Sequence, residues 1–115
     1  MLFRSYAAVH IAKGEHKLPA YSAVAADNLV PNLVVDGEHL SQSMAIIEYL
    51  EETHPTPALL PQDALGRARV RALAQSIACE IHPINNLRVL KYLTGTLGLS
   101  EDQKDRKSTR LNSSH

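Results

Sequence analysis

The sequence feature that most constrains this fold is a two-residue turn, Asp36-Gly37, between two short β-type segments. Asn32–Val35 precedes the turn and Glu38–Leu40 follows it. In the tightest hairpins both turn residues need a positive φ, a conformation that glycine adopts freely and that aspartate tolerates. Pro31 stands just before the first segment, where its missing N–H interrupts no ladder of hydrogen bonds. The sequence therefore predicts an antiparallel β-hairpin at residues 32–40.

Helical patterns follow the hairpin. Ser41 fits the N-cap of a first helix, and the run His54-Pro-Thr-Pro57 must end that helix because proline cannot continue it. Asp63 fits the N-cap of a long helix, and Pro83 is expected to kink that helix rather than end it. The apolar residues of the long helix recur near one face: Leu65, Val70, Leu73, Ile77 and Ile81.

Shorter elements are predicted before the hairpin. Residues 6–11 are β-tolerant and predict a strand, and residues 13–17 predict a turn or loop. Pro19 fits the first turn of a short helix that reaches Ala26. Because the first half mixes strand and helix while the second half is helical, the sequence predicts an α/β part followed by an all-α part.

Composition excludes several classes of function. The chain has 115 residues with 12 basic and 12 acidic side chains, so it offers no basic footprint for nucleic acid. One cysteine, Cys79, excludes an internal disulfide framework, and the histidines lack the spacing of a zinc site. No apolar run approaches the roughly 20 residues of a membrane span. We expect a cytoplasmic protein with no metal, nucleic-acid or membrane partner.

The two ends of the sequence carry a different signal. With one codon chosen per residue, residues 105–115 back-translate into a common short-read sequencing adapter, and the reverse complement of that adapter encodes residues 1–5. We therefore expect both segments to be non-native and the chain between them to be part of a longer gene product. Ser100 and Gln103 have the spacing of a capping box, a helix start that the adapter-like segment follows without a helix body.

The stretch from Val30 to Pro55, with its Val-Pro pair and its Gln42-Ser-Met-Ala-Ile46 run, resembles the N-terminal domain of glutathione transferases. Leu-Leu-Pro-Gln-Asp at 59–63 and Pro-Ile-Asn-Asn-Leu at 83–87 are similar to the zeta class, the maleylacetoacetate isomerase family. The resemblance covers residues 6–104. It implies an incomplete α/β thioredoxin-like N-terminal part at 6–54, a linker at 55–62 and an incomplete all-α C-terminal part at 63–104.

The resemblance implies a glutathione-dependent cis–trans isomerase that acts on maleylacetoacetate, a small dicarboxylic diketo acid of aromatic amino-acid catabolism. As cofactor, glutathione would supply the thiolate that adds to the cis double bond, permits rotation and leaves by elimination. Maleylpyruvate isomerase and general glutathione transferase remain alternatives, as does a non-catalytic transferase-like binding module. The parent protein is expected to be a homodimer. No catalytic residue is assigned, because the family's catalytic serine motif precedes the matched region, and this chain alone is expected to be inactive and marginally folded.

The resemblance also implies a set of glutathione-binding residues: Val30, Gln42, Ser43, His16, His82, Asn86, Leu87 and Arg88. Gln42 and Ser43 stand at the start of a helix, where free N–H groups favour a carboxylate, here the γ-glutamyl end of glutathione. Simple helix capping by Ser41 or Ser43 is the alternative.

Two of these positions, Val30 and Arg88, carry their own alternatives. Val30 precedes a proline that is cis in the family, so that its backbone can pair with the cysteinyl part of glutathione; an ordinary trans-proline is the alternative. His16 aligns with a family position that is often glutamine and contacts glutathione. Arg88 also matches a site for a substrate carboxylate, which a guanidinium binds bidentately, or else it is a solvated helix-surface residue.

Overall fold

The structure, a computed structural model, describes the backbone of residues 5–112 and the side chains of residues 5–106. Residues 1–4 and 113–115 of the two adapter-like segments lie outside the described residues. The chain divides into two compact units between Leu59 and Leu60. Among the described residues, no helix combines the length and the apolar character needed to cross a bilayer.

The first unit contains a hairpin, two helices and two 3-10 turns. In chain order these are the 3-10 turns Ile11–Lys13 and Glu15–Lys17, α1 (Pro19–Ser22), β1 (Asn32–Val35), β2 (Glu38–Ser41) and α2 (Ser43–Thr53).

The hairpin predicted from Asp36-Gly37 is confirmed. β1 and β2 pair antiparallel, with Leu33 opposite Leu40 and Asn32 opposite Ser41. Asp36 and Gly37 have φ values of 51° and 85°, the left-handed pair that a tight hairpin turn requires. α2 lies against both strands.

Substitution of Gly37 measures how much the left-handed conformation of this turn residue contributes to the free energy of unfolding. A Cβ at Gly37 would meet nothing within 4 Å, so any cost comes from its φ alone. We expect Gly37→Ala to lower the free energy of unfolding by about 1 kcal/mol, because a side chain disfavours the left-handed region. Urea unfolding followed by circular dichroism measures this effect.

Gly95 provides the matched control for that substitution. It lies in the last turn of a helix in the second unit, and a Cβ there also meets nothing within 4 Å. Gly95→Ala is expected to raise stability by about 0.5–1 kcal/mol through helix propensity. Equal effects of the two substitutions would contradict the conformational explanation.

The strand predicted at residues 6–11 is wrong. Residues 5–10 have no regular structure, and the first 3-10 turn begins at Ile11. A strand needs a hydrogen-bonding partner, and within the described residues β1 and β2 pair only with each other. The β-tolerant sequence therefore has no ladder to join. The helix predicted from Pro19 forms, but it ends at Ser22 rather than near Ala26.

The second unit is helical, as predicted. Its elements are α3 (Ala64–Gln75), a π-helical segment (Ser76–Ile81), α4 (His82–Asn85), α5 (Leu87–Gly95) and α6 (Glu101–Asn112).

Two helix boundaries in this unit follow from side chains seen in the sequence. Asp63 caps α3 as predicted, since its Oδ1 accepts a hydrogen bond of 2.7 Å from the Gly66 N–H. Pro83 does not end the helical path, which runs from α3 through the π-helical segment into α4. The break falls instead at Asn86, whose ψ of 162° is extended and which caps α5.

The apolar face predicted on α3 is largely exposed. Leu65 is 61% exposed and Leu73 is 67% exposed, and both Val70 and Ile77 are exposed as well. The spacing of these residues predicted the helix correctly, but it does not show what the face packs against.

The expectation of a capping box without a helix body is wrong, because α6 follows it directly. The box itself forms: the Ser100 N–H donates to Gln103 Oε1 at 2.9 Å, and the Gln103 N–H donates to Ser100 Oγ at 3.3 Å. Ion pairs join Arg106 to Asp102 and Lys104 to Glu101. A cap and ion pairs one turn apart can sustain a helix that has no apolar face.

Candidate functional site

The start of α2 is the first part of the candidate site. β2 ends at Ser41 and α2 begins at Ser43, so Gln42 is the only residue between them and occupies the N-cap position. The N-cap predicted at Ser41 is therefore wrong, because Ser41 is still paired in the strand. The Gln42 side chain makes no capping hydrogen bond. Both Gln42 and Ser43 are exposed, beside the unpaired N–H groups of the first helical turn.

The backbone of Gln42 is unusual for a residue with a side chain. Its φ is 71° and its ψ is 113°, a combination outside the regions that L-amino acids populate readily. This geometry turns the chain abruptly from the last hydrogen-bonded residue of β2 into the helix. The turn leaves the side chains of Gln42 and Ser43 next to each other at the helix start.

The second part of the site is Val30, which precedes β1. The Val30–Pro31 peptide bond is cis, the state that the resemblance implies, and the trans alternative is wrong. Because Asn32 pairs with Ser41, the chain approaching β1 and the chain leaving β2 lie at the same end of the hairpin. The register therefore brings Val30 and the Gln42–Ser43 pair to the same end of the hairpin, opposite the Asp36-Gly37 turn.

His16 lies in the second 3-10 turn, just before α1. Its side chain is partly buried, and its Nδ1 atom is buried without a hydrogen-bond partner among the described residues. A buried polar atom without a partner is costly. The atom is enclosed by the chain itself, so this face of the His16 ring offers no surface to a ligand.

The four predicted residues of the second unit gather where α4 meets α5. His82 begins α4 and is exposed, while Leu87 and Arg88 are the first two residues of α5. Asn86 has a structural task there: its Oδ1 accepts from the Val89 N–H at 3.0 Å, and its Nδ2 donates to the Pro83 carbonyl at 3.0 Å. Arg88 is exposed in the first turn of α5.

A cavity of about 350 Å³ lies in the first unit. Its lining is Val24, Ala25, Ala26, Asp27, Asn32, His39 and Ser41. It reaches the Asn32–Ser41 pair at the end of the hairpin, although none of the residues predicted to bind a ligand lines it. Within the described part of the chain, no three histidine, cysteine or carboxylate side chains are grouped to hold a metal ion.

Two hydrogen bonds in the loop before Val30 were not predicted from the sequence. The Tyr21 hydroxyl donates to the Leu29 carbonyl at 2.6 Å, and Asp27 Oδ1 accepts from the Leu29 N–H at 3.0 Å. The bond from Tyr21 spans eight residues of irregular chain, and no periodicity or short motif signals such a contact. The bond from Asp27 is an Asx-type contact, which the residue type alone makes plausible.

Comparison with known proteins shows the family to which the chain belongs. Residues 2–58 match the sequence model of the family described as "Glutathione S-transferase, N-terminal domain". The maleylpyruvate isomerase of a Ralstonia species is 56% identical over 96 residues, which are 84% of this chain and 45% of that protein.

Solved structures agree with this match. The holo structure of a maleylpyruvate isomerase, described as a bacterial zeta-class glutathione S-transferase, has a TM-score of 0.85 and 50% identity, and the match covers 92% of this chain and 50% of that one. A maleylacetoacetate isomerase from Methylobacterium extorquens AM1, with bound malonate and GSH (glutathione), has a TM-score of 0.78 and 34% identity over 90% of this chain and 49% of its own.

The chain therefore belongs to the glutathione transferase family. Its fold is the thioredoxin-like N-terminal part of that family, followed by the helical C-terminal part. Within the family it falls in the zeta class, with the maleylpyruvate and maleylacetoacetate isomerases as relatives. The chain spans about half the length of the relatives that it matches.

Proposed function

We propose that this chain is the glutathione-binding half of a glutathione-dependent cis–trans isomerase. The substrate is a small dicarboxylic diketo acid, with maleylacetoacetate as the first candidate. The names of the relatives and the malonate and GSH bound in the Methylobacterium structure support this assignment. The high identity with the Ralstonia maleylpyruvate isomerase favours maleylpyruvate as the second candidate.

The observation that carries the proposal is the meeting of Val30 with Gln42 and Ser43 at one end of the hairpin. An extended peptide ligand there can pair with the Val30 backbone while its γ-glutamyl carboxylate reaches the start of α2. The Gln42 conformation costs on the order of 1–3 kcal/mol for a residue with a side chain. Because strained backbone conformations are common at ligand-binding sites, the conformation of Gln42 supports a binding role.

Each residue has a distinct part in this proposal. The Ser43 hydroxyl and the first N–H groups of α2 bind the γ-glutamyl carboxylate, and Gln42 donates and accepts beside them. The Val30 backbone pairs with the cysteinyl part, and His16, at a family position that contacts glutathione, donates to a further polar group of the peptide. Arg88 grips a carboxylate of the substrate. His82, Asn86 and Leu87 are proposed as further binding residues.

When bound, glutathione supplies a thiolate that adds to the cis double bond, permits rotation about the resulting single bond and leaves by elimination. The residues of this chain bind and orient the peptide so that its thiol is held next to Val30. The serine that activates the thiol is proposed to lie upstream of residue 6 in the parent protein, so no residue of this chain is assigned a catalytic role.

We further infer the organisation of the parent protein. Residues 6–54 form its thioredoxin-like part, 55–62 a linker and 63–104 the start of its all-α part, while 1–5 and 105–115 are non-native. The free, exposed thiol of Cys79 fits the reducing cytoplasm. The exposed Leu65 and Leu73 of α3 fit a homodimer contact.

The binding proposal is tested by titrating this chain with reduced glutathione in a calorimeter. Ser43→Ala is expected to weaken binding at least about tenfold, because a hydrogen bond to a charged group contributes about 1.5–3 kcal/mol. The dipeptide Cys-Gly lacks the γ-glutamyl group. Its affinity should therefore be the same for the variant and the unmodified chain.

Ser41→Ala is the control, since it makes the same change two residues away, in β2, and should leave the affinity unchanged. Absence of glutathione binding, or equal losses from both substitutions, would refute the proposal. The activity is tested on the full-length gene product with maleylacetoacetate and with maleylpyruvate, each with and without glutathione. A non-catalytic transferase-like module would bind glutathione and isomerise neither substrate.

A further inference from the structure

In the loop between α1 and β1, both backbone polar groups of Leu29 form hydrogen bonds with side chains. The Leu29 N–H donates to Asp27 Oδ1 at 3.0 Å, and the Leu29 carbonyl accepts from the Tyr21 hydroxyl at 2.6 Å. Leu29 directly precedes Val30. The bond from Tyr21 holds the Leu29–Val30 peptide unit, and the bond to Asp27 holds the peptide unit before it.

Apolar packing does not fix this segment. Leu29 is 49% exposed and Val30 is 43% exposed, while the one buried residue of the loop is Ala25, at 4%. A side chain that is half in water contributes little to holding its backbone in place. The orientation of Val30 therefore depends on hydrogen bonds to Leu29.

A third bond closes the same loop. The Ser22 hydroxyl lies 2.6 Å from Asn28 Oδ1, and Asn28 has a left-handed φ of 56°. Tyr21 and Ser22 both belong to α1, so one short helix anchors the far end of the loop at two successive residues. Of the two anchors, only Tyr21 reaches the residue next to Val30.

We propose that Tyr21 is a positioning residue for glutathione: its hydroxyl, by holding the Leu29 carbonyl, sets the Val30 backbone at the angle needed to pair with the cysteinyl part of the peptide. This inference rests on the proposed function. It assigns to Tyr21 the placement of the part of glutathione that carries the thiol, and not the binding of its γ-glutamyl end.

The Tyr21 hydroxyl is suited to this role because it keeps its proton. Burial raises the pKa of Tyr21 above its ordinary value of 10.0, and the negative charge of Asp27 raises it further. A raised pKa means that the neutral, donating form persists to higher pH than for an exposed tyrosine. The hydroxyl therefore still donates to Leu29 at about pH 8.5, where an ordinary cysteine thiol ionises.

Tyr21→Phe tests the proposal, because it deletes one oxygen and leaves the ring. We expect the affinity of the chain for reduced glutathione to fall about three- to tenfold, as for the loss of one hydrogen bond. The affinity for γ-glutamylglycine, which lacks the cysteinyl part, should stay within about twofold. In ¹⁵N relaxation spectra, the order parameter of the Val30 amide should fall while those of Leu33 and Leu40 remain unchanged.

Two further variants complete the design. Tyr92→Phe makes the same change on an exposed tyrosine of α5 and should alter neither affinity. Asp27→Ala releases the N–H side of Leu29 while keeping the Tyr21 hydroxyl, and it is expected to act in the same direction as Tyr21→Phe.

The outcomes separate this proposal from the proposed function. If the unmodified chain binds glutathione and Tyr21→Phe binds it equally well, the positioning role is refuted and the proposed function stands. Equal losses for both ligands, with mobility increased throughout the unit, would make Tyr21 a general stability residue and also refute the role. If the unmodified chain does not bind glutathione, the proposed function fails, and this inference fails with it.

Discussion

Ile46→Ala is expected to lower the free energy of unfolding of the first unit by about 2–4 kcal/mol. Ile46 is 9% exposed on the face of α2 that lies against the hairpin. Removing its three outer carbons loses their transfer free energy and leaves a space that the surrounding residues fill only in part. The effect is large for this unit because Ala25 is its other buried apolar residue among those described. Urea unfolding followed by circular dichroism measures it.

The neighbouring residue provides a matched control. Ile47 lies in the same helix and is 40% exposed, so Ile47→Ala removes the same atoms from a site already in contact with water. We expect a loss below about 1 kcal/mol. Equal losses at the two positions would show that α2 does not pack on the hairpin through Ile46.

Glu51→Ala is expected to lower the free energy of unfolding by about 1–3 kcal/mol. Glu51 is 7% exposed, and its Oε2 accepts a hydrogen bond of 2.7 Å from the Leu59 N–H. This bond ties α2 to the last residue of the first unit, across the segment that contains Pro55 and Pro57. Truncation to alanine leaves a donor without its partner, and an unmade bond of this kind costs more than a made one contributes.

Two substitutions isolate the role of the Glu51 oxygen. Glu51→Gln keeps an acceptor oxygen in the same place and is expected to recover at least half of the loss. Glu52→Ala changes the next residue, which is exposed, and should stay within about 0.5 kcal/mol. If Glu52→Ala costs as much as Glu51→Ala, the bond to Leu59 does not stabilise the unit.

Features that depend on a few adjacent residues were predictable from the sequence. The Asp36-Gly37 turn, the Asp63 cap and the Ser100–Gln103 capping box all formed as expected. In each case the side chain or the φ preference acts within about three residues, so the sequence alone contains the whole interaction.

Features that depend on a partner distant in the sequence were not predictable. Residues 6–11 have the composition of a strand but lack a second strand to pair with among the described residues. Glutamate is usually a surface residue, yet Glu51 is buried and accepts a hydrogen bond from the Leu59 N–H, eight residues later. The cap assigned to Ser41 failed because the register of the hairpin extends one residue further than its apolar pattern.

The candidate site shows both cases. From their residue types alone, Gln42 and Ser43 fit simple helix capping, whereas the resemblance favours ligand binding. The hairpin register puts Val30, twelve residues earlier, at the same end of the hairpin as Gln42. Tyr21 could not be found in this way, because its contact with Leu29 follows from the path of an irregular loop.

Gln42 departs from the usual choice of residue at a positive φ. Where a chain needs a positive φ, it usually carries glycine, asparagine or aspartate, and Asn28 and Asp36 follow that habit. Glutamine at position 42 does not, since glycine would adopt the same backbone at a lower cost. The backbone at position 42 therefore costs this chain stability that a glycine would not cost, and the glutamine side chain stands exposed at the start of α2.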